Sequence, residues 1–158
     1  MSRKAAARPA APAAVEPPAV WLYDFRDQPG LPDGPVTAAA MNGRHVRVVE
    51  LIGEILAFYR DGLGWNSHDG RGGRVVVCLD TPRVGGWSDP WLGYLGLSGP
   101  KTLPGADGRL YRFDDFAVAP DYVAHEFQHL VTHARAGLGY ASIEQAALNE
   151  SLSDCMAM

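Results

Sequence analysis

The run His125-Glu126-Phe127-Gln128-His129 constrains this chain more than any other stretch of it. On a helix, residues four apart stand on one face, one turn above the other. Both imidazoles can then reach one metal ion, and Glu126 stands beside them with a carboxylate free to handle a proton. The H-E-x-x-H pattern is a zinc-site signature, and it needs a helix to work. An open zinc centre takes three protein ligands and keeps a fourth position for water. Two histidines therefore require a second element nearby that supplies the third ligand.

Glu150, 21 residues past His129, is the best candidate for that ligand. It belongs to Asn149-Glu150-Ser151-Leu152-Ser153-Asp154, inside a segment from Ile143 to Met158 with few helix breakers. The segment reads as a second helix packed on the first. Asp154 follows Glu150 by four residues and shares its face, so its carboxylate can accept the far N–H of a ligand imidazole and fix the tautomer. The plainer readings are that Glu150 is a solvated helix residue and that the histidines only pack. The two motifs at helical spacing favour the metal. His133 continues the histidine stripe, but Cα atoms eight residues apart on a helix are separated by about 12 Å, and zinc–nitrogen bonds are about 2 Å long. His133 is therefore expected to cap the helix or face solvent.

The stretch from Asp121 to Tyr140 closely resembles the active-site helix of thermolysin-like neutral metalloproteases, and Asn149 to Asp154 resembles their third-ligand segment. Ala57 to Gly72 resembles the family's helix end and the polar loop before its central strand. Leu22 to Phe25 and Leu31 to Pro35 resemble its N-terminal strand and turn. The likeness runs over residues 20–158 and is most specific between 121 and 154. It implies a zincin-like catalytic region at 20–158, with zinc held by His125, His129 and Glu150. It also implies that Glu126 acts as general base and then acid, that Asp154 orients His125, and that Asn149 supports the site. Tyr140 falls where the family stabilises the oxyanion of its tetrahedral intermediate. Asp121 matches a calcium-ligating position, although the helix dipole alone also accounts for an acid there. Trp87 matches a residue of the edge strand that binds the substrate backbone.

Three departures accompany the likeness. The family has a second, mostly helical domain after the third ligand, whereas this sequence stops four residues past Asp154. The expectation is a fragment, a truncated reading frame or a different design. Val84 stands where the family has a substrate-binding asparagine, and Leu95 to Pro100 replace its acidic loop. Between Tyr140 and Asn149 the chain is one residue longer than usual. An extra residue in a loop is harmless, but one inside the helix would turn Glu150 by about 100°.

The remaining sequence reads as an α+β scaffold, strand-rich at first, with one amphipathic helix before the two helices of the site. Val20 to Phe25 alternates as a strand. Gln28 to Pro35 is turn material. His45 to Arg60 places Val46, Val49, Ile52, Leu56 and Tyr59 three or four apart, as an amphipathic helix would. Asp61 to Gly73 is a glycine-rich loop without phosphate-binding spacing. Arg74 to Asp80 is a β-branched strand. Trp87 to Arg109 is loop-rich with short strands, and Leu110 to Phe113 is another. Charged residues make up 20 % and the net charge is −4, so no basic face points to nucleic acid. No apolar run is long enough to span a membrane. Cys78 and Cys155 form no C-x-x-C pair, and their redox state stays open.

Residues 1–19 hold eight Ala and four Pro. Proline interrupts every apolar stretch, so no secretory leader is expected there, and the segment reads as a disordered arm. Thermolysin-like enzymes are often secreted, but this chain is closer to a subgroup with short N-terminal extensions. The compartment and the oligomeric state stay open. Two functions follow: a zinc metalloendopeptidase acting on peptides, or a non-catalytic zinc-binding module. An aminopeptidase is a third and weaker fit, because nothing resembles an amine-recognition segment. An intact Glu126 favours the first, since a structural zinc site tends to close all four ligand positions and leave no work for a proton carrier.

Overall fold

The computed structural model describes residues 19–26 and 31–157. The Ala/Pro-rich segment, save Ala19, lies outside the described residues, as do residues 28–30 of the expected turn.

Strand β1 (Val20–Asp24) leads into helix α1 (Gly43–Ala57) and then strand β2 (Val75–Leu79). The edge strand β3 (Gly86–Asp89) precedes β4 (Tyr94–Leu97). The sheet order is β1-β2-β4-β3, with β1, β2 and β4 parallel and β3 antiparallel to β4. Strands β5 (Lys101–Pro104) and β6 (Leu110–Phe113) form a separate hairpin. Helices α2 (Pro120–Ala136) and α3 (Ile143–Met156) complete the chain. The α+β architecture is thus as expected. Within the stretch expected to be loop-rich with short strands, β4 takes up Leu95 to Leu97 as an interior strand, and Ser98 to Pro100 follow it outside any strand.

Alternation along β2 sends Val75, Val77 and Leu79 into the core, where they meet Leu22, Leu95 and Leu97. Helices α1 and α2 cover that face. The buried stripe of α1 is His45, Val48, Leu51, Ile52, Ile55 and Leu56, followed by Tyr59. Val46 was expected on this stripe, but it is 44 % exposed. The helix start sets the phase. The Asn42 side chain accepts from the His45 backbone at 3.0 Å, and the His45 ring accepts from the Asn42 backbone at 3.3 Å. The other ring nitrogen of His45 lies 2.8 Å from Asp24 at the end of β1, which pins residue 45 inward. Helix α1 ends in one wide turn, Phe58–Gly62.

Helix α2 has two working faces. Val123, Phe127, Leu130 and Val131 point into the core. The Phe127 ring packs on Tyr59 at 5.3 Å. The buried Tyr59 hydroxyl donates to Gln128, whose amide donates to Thr132 at 2.7 Å. Losing one member of such a buried chain costs about 1–3 kcal/mol, so α2 is fixed against α1. Pro120 starts α2 at a position that needs no N–H donor. Gly137, at φ 64°, ends it and returns its N–H to His133 at 2.8 Å.

Candidate metal centre

His125 and His129 leave α2 on the side opposite the core, toward α3. Their Nε2 atoms are 3.1 Å apart. Glu150 of α3 places one carboxylate oxygen 3.3 Å from His125 Nε2 and the other 3.7 Å from His129 Nε2. A tetrahedral ion with bonds of about 2.0–2.1 Å sets its ligands about 3.3 Å apart. The three donors therefore fit one metal ion of that size. Among the described residues they are also the group of His, Cys, Asp and Glu side chains that converges in this way. The extra residue before Asn149 has not rotated Glu150 away. Helix α3 starts at Ile143, with Ser142 accepting from the Gln145 backbone at 3.2 Å.

The far nitrogens of the two rings are held as a ligand pair needs. His125 Nδ1 lies 2.9 Å from Asp154, and His129 Nδ1 lies 3.1 Å from the Asn149 carbonyl oxygen. Ser153, which the sequence reading missed, sets its hydroxyl 3.0 Å from the same His129 nitrogen. With both Nδ1 atoms donating, both Nε2 lone pairs are free for metal. Burial pushes the His129 pKa down, which also favours the neutral ligand form. Asp154→Asn is expected to weaken metal affinity about tenfold, the low end for a supporting contact because its side chain is largely exposed. A competition titration against a chromogenic chelator measures this; an unchanged affinity would remove Asp154 from the site.

Glu126 is not one of the three converging donors, although it lines the same cleft as they do. It is 6 % exposed and faces β3. Burial raises its pKa to about 7, against the opposing pull of His125. A cation on the neighbouring ligands would draw that value back down. The strand approaches this closely because of Gly86, another residue missed in the sequence. A Cβ there would sit 2.5 Å from the Tyr122 ring and 3.1 Å from Glu126 Oε1. A glycine inside a strand signals such an approach, but the partner it approaches is not written beside it. The Gly86 N–H also donates to the Tyr122 hydroxyl at 3.0 Å.

A cleft of about 970 Å³ opens over His125, Glu126, His129 and Glu150, between β3 and the loop after α2. Tyr140 lines it and donates its hydroxyl to Glu150 at 2.5 Å. Burial and the Glu150 charge both raise the Tyr140 pKa, so it stays a donor. Trp87 lies on β3, at the sheet edge, with its indole across Gly96, where a Cβ would meet the ring at 2.2 Å. Val84 is not among the residues that line the cleft. His133 neither caps α2 with its side chain nor stands free in solvent. It lines the cleft half-buried, with its ring 4.5 Å from that of Trp91. Asp121 sits in the first turn of α2 and accepts from the Tyr122 backbone at 2.9 Å. Cys78 and Cys155 are both free thiols. No described helix is long and apolar enough to cross a membrane.

No protein-family profile matches the chain, and no curated protein matches it in sequence. Among solved structures it is similar to the precursor of protealysin, a metalloproteinase from Serratia proteamaculans. The TM-score is 0.71 and the identity 22 %, over 92 % of this chain and 44 % of that one. The fold is therefore shared with a metalloproteinase precursor, and the chain spans less than half of that neighbour.

Proposed function

We propose that this chain carries the metal site of a zinc-dependent metalloendopeptidase of thermolysin type. The observation that carries the reading is the meeting of His125, His129 and Glu150 within bonding range of one ion, with a buried Glu126 beside them. The shared fold supports it. Two imidazoles and a carboxylate are the donor set of catalytic zinc hydrolases, and they leave a position open.

Bound zinc would supply Lewis acidity toward a peptide carbonyl and make a water acidic near neutral pH. The other work belongs to the side chains. Glu126 takes the proton of the attacking water and passes it to the leaving amine, so no covalent intermediate is needed. Asp154 and Asn149 hold the imidazoles in the tautomer that binds metal. Tyr140, released from Glu150, donates to the oxygen that becomes negative. The free edge of β3 hydrogen-bonds an extended substrate backbone, as edge strands do.

The test is metal analysis combined with peptide cleavage. The purified chain is expected to hold about one zinc and to cleave an unfolded protein substrate, with loss on chelation and return on adding zinc. A chain that holds zinc and cleaves nothing is instead a non-catalytic zinc module. A chain that takes up no zinc overturns both readings.

A further inference from the structure

Arg83 lies in the loop that enters β3 and lines the same cleft; its charge draws the Glu126 pKa down, but the proposed chemistry gives it no contact with substrate. Arg26, Arg44, Arg47, Arg60, Arg109 and Arg112 each have a carboxylate within 4.0 Å. Among the described residues Arg71, Arg74, Arg83 and Arg135 have none, and of these four Arg83 is the one that lines the cleft. Its guanidinium carbon instead stands 5.3 Å from the centroid of the Trp87 ring, in cation–π range. The ring limits where the guanidinium can go, and the nitrogens keep their donor capacity.

The strand geometry decides what this group can read. Gly86 faces α2, because Tyr122 and Glu126 crowd its missing Cβ. Trp87 therefore points to the opposite sheet face, where its ring crosses Gly96. A peptide laid along the free edge of β3 alternates in the same way. One side chain turns toward the metal donors, and the next turns toward Trp87 and Arg83. A planar fork of N–H donors on an aromatic shelf matches a carboxylate in two parallel hydrogen bonds. The chain as a whole carries −4, which would repel an acidic peptide, whereas Arg83 puts a positive charge on the cleft wall, near enough to Glu126 to draw its pKa down.

We infer that Arg83 and Trp87 form a subsite for an acidic side chain of the substrate, and that this cleft selects peptides carrying Asp or Glu at a residue whose side chain turns away from the metal donors. The inference rests on the peptidase reading and narrows its substrate class.

The test uses matched peptides that carry Asp, Ala or Lys at each scanned position. At one position the zinc-loaded wild type is expected to prefer Asp to Lys about tenfold in kcat/KM, the scale of one solvent-accessible charge-assisted pair. Arg83→Ala should flatten that ratio and Arg83→Glu should invert it. Arg83→Lys should keep only part of it, since it retains the charge without the fork. Added salt should shrink the preference. A wild type that cleaves the Asp and Lys peptides alike at every position overturns the subsite, as does a preference that survives Arg83→Ala. Calorimetric binding of the same peptides to a Glu126→Gln chain separates the two levels. If the wild type cleaves nothing while an Arg83-dependent preference for the Asp peptide persists in binding, the peptidase reading fails and the subsite stands. If it cleaves nothing and binding shows no such preference, both fall.

Discussion

Replacing Glu126 by Gln is expected to leave the zinc content unchanged and to lower kcat/KM for peptide cleavage by about 10²–10⁴, the usual worth of a positioned acid–base group. The two side chains have nearly the same shape, so the tight space between Gly86 and α2 stays filled. Glu126 is not among the three converging donors, so the amide removes none of them. What it removes is the capacity to take a proton. The carboxylate is suited to that task by its place: buried, beside the ligand His125, and facing the strand along which substrate would lie. Metal content and steady-state cleavage of one peptide decide the matter together. If cleavage stays within twofold of wild type, Glu126 carries no proton. If zinc is lost along with activity, Glu126 holds the site together rather than working beside it.

Legibility in the sequence followed the range of the interactions. The histidine pair could be read because its geometry is local, as one helix face repeats every three or four residues. Glu150 and Asp154 could be read for the same reason, since a single α3 face presents both toward α2. The phase of α1 could not. Periodicity alone put Val46 inside, but the reciprocal bonds of Asn42 and His45, with Asp24 beyond them, turn His45 inward instead. The bounds and interior place of β4, among the short strands expected there, could not be read, because Gly96 interrupts its pattern, and Gly96 is glycine to accommodate the Trp87 ring on the neighbouring strand. Gly86, Tyr122 and Arg83 take their meaning from contacts between distant segments, which no local pattern encodes. α3 reverses the ordinary rule outright. Asn149 and Ser153 are buried against His129, while Ile143, Leu148 and Leu152 are exposed. Polar residues lie inside there because the imidazole nitrogens need hydrogen-bond acceptors.

His129→Ala and His133→Ala, made side by side, should give opposite results. The histidines belong to one stripe of α2, and the helix rise already sets His133 too far along it to share an ion with His125 and His129. Their surroundings separate them. The His129 Nε2 atom is 3.1 Å from that of His125 and its Nδ1 is held by Asn149 and Ser153, so the ring is oriented toward the metal donors from behind. The His133 ring lies against Trp91 instead. Removing His129 leaves one imidazole and one carboxylate, too few for a stable zinc site. The expected outcome is loss of stoichiometric zinc from His129→Ala at any practical free-metal level, and with it loss of cleavage. Because the burial of His129 is bound up with Asn149 and Ser153, the variant also leaves two buried polar groups without their partner, at a cost of about 1–3 kcal/mol each. A thermal melt of the metal-free proteins measures that cost apart from the metal effect. His133→Ala should keep one zinc per chain, since its ring belongs to the cleft wall with Trp91. Zinc lost equally from both variants would mean that the ion is held along the helix face rather than between α2 and α3, and the role given to Glu150 would go with it.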